Sequence, residues 1–343
     1  MKAAVYYSNS DIRIEERPAP KIGPGELLVK VEACGICGSD VMEWYRIGRV
    51  PLILGHEIAG VVQEAGPGVN TYKSGDRVSA SHHVPCGKCV YCLAGHETVC
   101  DTLRKTNFDP GGFCQYLRLP KVNVDYGVYA LPDSVTFDQA TFIEPLACVL
   151  RGQRVAGFCR GLSVLVIGSG IAGLLHIKFA KAKGASPVFA TDISDYRLKA
   201  AQECGADKVF SGFEYSADSL RKSNQGRLAD LVILTTAAPQ AISQALDSVE
   251  RAGTVLFFAP TDKDVNVPFS VNDVFWRNER KLVSSYAASP KDHREALELI
   301  RAKAVSVEDM ITHRLSLDET GLGFRLVSEA KNSMKVIIYP QRS

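Results

Sequence analysis

Val164-Leu165-Val166-Ile167 runs directly into Gly168-Ser169-Gly170-Ile171-Ala172-Gly173. Few folds accommodate that juxtaposition. A buried strand must stop at a tight turn, and a helix must start almost at once. The first glycine permits the turn, the second lets the backbone approach a ligand, and the third lets helix and strand pack closely. The helix N-terminus then offers free N–H groups and the positive end of its dipole, which suits phosphate. The next apolar strand, Val188-Phe189-Ala190-Thr191, ends in Asp192. A carboxylate there accepts ribose hydroxyls and repels a 2′-phosphate, although alone it also reads as a helix cap ahead of Arg197. The combination implies a dinucleotide bound along residues 168–173, NAD ahead of NADP. Arg197 tempers that preference, because a nearby arginine can accommodate a 2′-phosphate.

Short apolar strands alternate with helices through this part of the chain. Strands are expected at 163–167, 187–191, 230–235 and 254–259, with helices at 173–184 and 197–204. Such alternation specifies an α/β fold with a parallel, doubly wound sheet. The first half differs. Residues 26–33, 58–65 and 76–80 read as strands set off by Gly23-Pro24-Gly25, Gly66-Pro67-Gly68 and Ser74-Gly75, a pattern that suggests a compact β-rich, barrel-like domain. A helix at 294–304 and a final strand at 335–339 follow the parallel region. The 343 residues are enough for two cores. A net charge of +2 gives no reason to expect nucleic acid or an acidic membrane as partner. The apolar stretch 162–182 is broken by glycines and carries His176, Lys178 and Lys181, so it does not read as a membrane span.

Cys86, Cys89, Cys92 and Cys100 form the second strong signal. Two-residue gaps let neighbouring thiolates converge on one ion, and the longer gap lets the chain return with the fourth. Four sulfurs saturate tetrahedral zinc and leave no open position, so such a site builds structure. Redox thiols or a disulfide cluster are the alternatives. The start of the chain is too short in apolar residues for a signal peptide, which favours reduced thiols, metal and a cytoplasmic setting.

Cys37, His56 and Glu144 are too far apart for spacing to join them, and each alone has an ordinary reading as core, satisfied polar group or turn. Their settings are Cys34-Gly35-Ile36-Cys37-Gly38-Ser39-Asp40, Gly55-His56-Glu57 and Glu144-Pro145-Leu146. With the four-cysteine lobe, Gly111-Gly112-Phe113, the glycine loop and Thr312-His313-Arg314, these segments resemble the zinc-dependent medium-chain dehydrogenases over nearly the whole chain. Glu144-Pro145-Leu146 is similar to the sorbitol/polyol branch, where the alcohol dehydrogenase branch has a cysteine.

The resemblance implies a GroES-like catalytic domain over 1–148, carrying the zinc lobe at about 86–100, a Rossmann domain over 149–288, and a segment 289–343 that completes the first. It implies two zinc ions per subunit. Cys37, His56 and Glu144 would bind the catalytic ion, Glu57 would bind or exchange with it, and Ser39 would relay the hydroxyl proton. The expected reaction is NAD(H)-dependent oxidation of a polyol, sugar acid or related secondary alcohol in a cleft between the domains, in a dimer or tetramer. Met42 stands where polyol dehydrogenases often have a second relay histidine. Ser285-Tyr286 stands where an arginine-tyrosine pair is common, which keeps Tyr286 as a substrate residue but places sorbitol itself in doubt. Arg151 replaces a frequent histidine. His82 and His83 are expected in an exposed loop, and Cys114, Cys148, Cys159 and Cys204 as packed thiols. A threonine-type amino-alcohol dehydrogenase is the rival enzyme. A zinc-lobe interaction module, or an NAD binder without catalysis, is the rival from another class.

Overall fold

The computed structural model describes residues 1–342. The chain divides into two compact units, Met1–Ala147 with Ala287–Ser343, and Cys148–Tyr286.

The first unit is built on a seven-stranded sheet. Its path runs Ile311–Ser316, Lys335–Tyr339, Leu27–Gly35, Glu57–Ala65, Arg77–Ala80, Val128–Ala130, and Tyr116–Leu119 pairs with Leu27–Gly35 off that path. All pairings are antiparallel except the first. The alternation along Leu27–Gly35 explains why it is central: Leu27, Val29, Val31 and Ala33 are fully buried. Leu27, Val29 and Val31 pack with Ile58, Val78, Phe113, Leu117, Phe324 and Ile338 into one apolar core, and Ala33 packs with Ile337 and Tyr339. Glycine is required where two loop segments crowd Cys34. A Cβ on Gly112 would meet the Cys34 Sγ at 2.8 Å, and one on Gly55, held at φ +93°, would meet the same sulfur at 2.8 Å. These two glycines let residues 54–56 and 111–113 run against each other, with Gly112 N–H donating to Gly55 O at 2.8 Å. His56 and Glu57 leave this crossing at the head of a strand.

The second unit is a six-stranded sheet in the order Lys208–Ser211, Val188–Asp192, Val164–Ile167, Ala229–Leu234, Val249–Phe257, Lys281–Ser284. Every pairing is parallel. Strands Val164–Ile167 and Val188–Asp192 are buried throughout, as sheets covered on both faces require. Chain order reverses between Val164–Ile167 and Ala229–Leu234, and in such sheets the crevice at the carboxyl ends of those strands is where ligands bind. Helix Ile171–Ala182 begins two residues earlier than the expected 173. Among the described residues, no helix is long and apolar enough to cross a membrane.

Candidate active site

Strand Val164–Ile167 ends at Gly168, whose φ of +93° makes the turn. Thr235, at the end of the neighbouring strand, pins that turn by donating from Oγ1 to Gly168 O at 2.7 Å. A Cβ on Gly173 would collide with Gly168 O and lie 3.0 Å from its carbonyl carbon, so helix and turn touch there. A Cβ on Gly170 would meet nothing nearer than the Arg197 guanidinium at 4.0 Å, which leaves the helix N-terminus open to a phosphate group. Asp192 lies beside the loop. Its Oδ2 accepts from Ser169 N–H at 2.7 Å and its Oδ1 from Ser194 N–H at 2.9 Å. The carboxylate is therefore fixed in orientation while each oxygen keeps a lone pair for a ligand hydroxyl. Ile171 and Ala172 form the first helical turn. These groups fit a dinucleotide. Tyr286 belongs to this unit and is exposed.

In the first unit the sulfurs of Cys86, Cys89, Cys92 and Cys100 lie within 4.8 Å of one another, and all four cysteines are free. Helix Val90–Leu93 and the turn Glu97–Val99 bring the last two back to the first pair. Cys86 N–H donates to Cys100 Sγ at 3.4 Å. Burial pushes the Cys100 thiol up, but N–H groups of Cys86, Leu103 and Thr102 outweigh it and bring it to about 6. Cys92 moves the other way, pushed up to about 12 by burial and the neighbouring sulfurs, so the fit to a tetrahedral zinc rests on the convergence of the four sulfurs.

A second cluster joins Cys37, His56 and Glu57, whose ligand atoms also lie within 4.8 Å of one another. Ser39 donates to the Cys37 sulfur from both its backbone N–H and its hydroxyl, each at 3.4 Å. Asp40 is fully buried and supports both ligands. Its Oδ2 accepts from Cys37 N–H at 3.0 Å, and its Oδ1 stands 3.4 Å from His56 Nδ1. Burial raises the Asp40 carboxyl, but His56, Arg46 and the Cys37 amide outweigh it and hold it below its ordinary value. The pairing turns the other ring nitrogen of His56 away from Asp40, the orientation that carboxylates impose on metal-binding histidines. One sulfur, one imidazole and one carboxylate fit a zinc site with a position left open.

Glu57 makes a further contact. Lys335, at the head of the last strand, donates its ammonium to Glu57 Oε2, with both side chains buried. Gly35 makes room, since a Cβ there would lie 2.6 Å from Lys335 Cε. Glu144, in helix Ile143–Val155, is half-buried and is not among the ligand atoms that converge in this cluster.

Two expectations are corrected. His82 and His83 are half-buried rather than exposed. The His82 ring lies tilted between those of His83 and His56, at centroid distances of 3.8 and 4.7 Å, and Asn123 holds this stretch by donating to the backbone carbonyls of Ser81 and His82. Cys159 is exposed instead of packed, lying in the turn between helix Ile143–Val155 and strand Val164–Ile167, while Cys114 and Cys204 are buried. Asp40, Lys335, Thr235 and Arg46 are the residues that sequence reasoning did not single out. Only Lys335 left a trace, as a lone charge opening the apolar run Val336-Ile337-Ile338.

The chain is similar to known proteins along its whole length. The alcohol dehydrogenase GroES-like domain matches residues 23–133, and the zinc-binding dehydrogenase domain matches residues 172–302. The chain is 32% identical to the sorbitol dehydrogenase of Bacillus subtilis over 356 residues, covering 100% of this chain and 98% of that protein. It is 34% identical to the L-threonine 3-dehydrogenase of Pyrococcus abyssi over 336 residues, 94% of each chain. Among solved structures, a zinc-binding dehydrogenase of Sinorhizobium meliloti bound to NADP superposes with a TM-score of 0.87 at 29% identity, over 99% of both chains.

Proposed function

We propose, from the premise that this chain belongs to the zinc-dependent medium-chain dehydrogenases, that it oxidises a secondary hydroxyl of a polyol or sugar acid to the ketone with NAD. The observation that carries the reading is the convergence of Cys37, His56 and Glu57 in a chain that also has the four-cysteine lobe and the glycine loop. The reading assigns one structural and one catalytic zinc to each subunit. When bound, zinc supplies Lewis acidity to the substrate hydroxyl and the nicotinamide accepts a hydride.

The chain's own residues do the rest. Cys37 and His56 hold the ion, and the third place falls to Glu57 or Glu144. Lys335 competes with the ion for Glu57, which favours Glu144 as the partner when the ion pair is closed. Asp40 fixes the His56 ring and the Cys37 backbone. Ser39 carries the hydroxyl bonded to the ligand sulfur, so it is placed to take the substrate proton and pass it outward. Met42 cannot continue that relay. Asp192 supports NAD over NADP through the ribose hydroxyls, with Arg197 beside the loop. A homo-oligomer in the cytoplasm completes the reading, and Tyr286 is a candidate substrate contact.

The test is reduction of NAD and of NADP by purified protein on a panel of polyols, sugar acids, secondary alcohols and threonine. NADH produced best from a polyol or sugar acid supports the reading. Threonine as the best substrate favours the second reading, which the 34% identity to an L-threonine 3-dehydrogenase keeps in play.

A further inference from the structure

The loop after Ser39 carries two arginines that the proposed mechanism does not use. Helix Glu43–Arg46 and the turn Ile47–Arg49 place Arg46 and Arg49 against one ring, Tyr45, each guanidinium carbon 4.7 Å from its centroid. Stacking of this kind fixes the plane of a guanidinium while leaving its N–H edge free. The Arg49 side chain forms no ion pair or hydrogen bond among the described residues, and it is exposed.

Arg46 reaches inward, and its side chain is only 15% exposed. Its Nε donates to Ser39 O at 3.2 Å, and its Nη2 stands 3.9 Å from Asp40 Oδ1, too far for a hydrogen bond. Asp40 Oδ1 also faces His56 Nδ1 at 3.4 Å, so the guanidinium stands one carboxylate away from a metal-binding imidazole. Asp40 does not use up the charge, because it is shared with His56 and committed to the Cys37 amide. The other nearby acid, Glu43, accepts from Asn9 N–H at 3.0 Å and forms no ion pair with Arg46 among the described residues. His82, whose ring lies against His56, has a buried Nδ1 without a hydrogen-bond partner.

A partly exposed guanidinium with free N–H groups beside a catalytic centre matches a planar or tetrahedral anion better than another hydroxyl. We infer that Arg46 recognises an anionic group at the end of the substrate remote from the oxidised carbinol, so that the substrate class is a polyol bearing a carboxylate or a phosphate. Resting on the dehydrogenase reading, the inference narrows its substrate. The chemistry is unchanged: the carbinol carbon gives a hydride to NAD, its hydroxyl gives a proton to the protein, and the ketone and NADH are released with the anion intact. Arg46 acts on binding.

The experiment compares matched six-carbon substrates on the zinc-loaded holoenzyme: sorbitol, gluconate and sorbitol 6-phosphate, with the wild type and Arg46→Gln. The wild type should have a kcat/KM for gluconate or for the phosphate at least about tenfold above that for sorbitol, the worth of one charge-assisted hydrogen bond or more. The two anionic arms identify the source of the anion. Arg46→Gln should lower that ratio by about tenfold through KM. A ratio that survives the substitution, with all substrates losing kcat together, would make Arg46 a support for Asp40 and overturn the inference. So would a wild type that prefers sorbitol, a comparison that needs no variant to fold. Absence of NADH from every one of these substrates would instead overturn the polyol and sugar-acid reading, and the inference with it.

Discussion

Lys335→Met tests the reading of the first unit's interior most sharply. Lys335 and Glu57 are 0% and 1% exposed, and their charges face each other from strands far apart in the chain. Lys335 also lies 5.3 Å from the centroid of Phe142, which adds a cation–π term of about 0.5–2 kcal/mol. Methionine keeps the length of the side chain and removes the charge, so packing survives while Glu57 stays buried without its partner. Removing one member of a buried ion pair costs about 3–5 kcal/mol. The loss falls toward the low end in zinc-loaded protein, because the released Glu57 can turn to the ion. Urea unfolding of the holoprotein, followed by circular dichroism, reads the change in midpoint at constant slope. The double variant Glu57→Gln/Lys335→Met removes both charges and should recover at least about 2 kcal/mol, a coupling of the size expected for direct contacts. A single variant within about 1 kcal/mol of wild type, or a double variant that recovers nothing, would refute the claim that this pair is desolvated and coupled.

Cys89→Ser should release one zinc per chain by elemental analysis and lower Tm by at least about 5 °C, since a structural site contributes folding free energy. Unchanged Tm would contradict a structural role for the lobe. Cys37→Ser should abolish turnover while NADH binding, read by fluorescence, stays within about threefold of wild type. Lost cofactor affinity in a folded variant would count against separate metal and cofactor machinery. Gly173→Ala should weaken NADH binding by about tenfold or more, because the added Cβ collides with Gly168 O and spreads the phosphate-binding turn. His176 gives a pH prediction. Burial pushes it from an ordinary 6.5 down to about 3. Between those values the unfolded chain binds more protons than the folded one. Its contribution is therefore complete above pH 6.5 and declines toward pH 3 by about 1.4 kcal/mol per unit. His176→Asn should flatten the stability–pH slope by about that amount, and an unaltered slope would show that His176 is not buried neutral.

Legibility from sequence followed the range of the interactions. The final strand, Lys335–Tyr339, lies where its apolar run indicated. The glycine loop is equally local, because turn, strand and helix are written within a few residues of each other. The same holds for the convergence of Cys86, Cys89, Cys92 and Cys100. Contacts between distant segments left no such trace. Glu57 and Lys335 are 278 positions apart, and no periodicity joins them. Asp40 reads as an ordinary loop acid until the fold sets it behind His56. His82 read as a surface histidine because nothing near it in sequence announces Asn123, whose amide holds its backbone from 41 positions away.

NAD reduction by the zinc-loaded protein, with and without a zinc chelator and paired with elemental analysis, tests the central claim most directly. Chelator-sensitive NADH formation from a polyol or polyol-derived acid is expected, with two zinc ions per chain before treatment. NADH formation that persists after the catalytic ion is gone would contradict it.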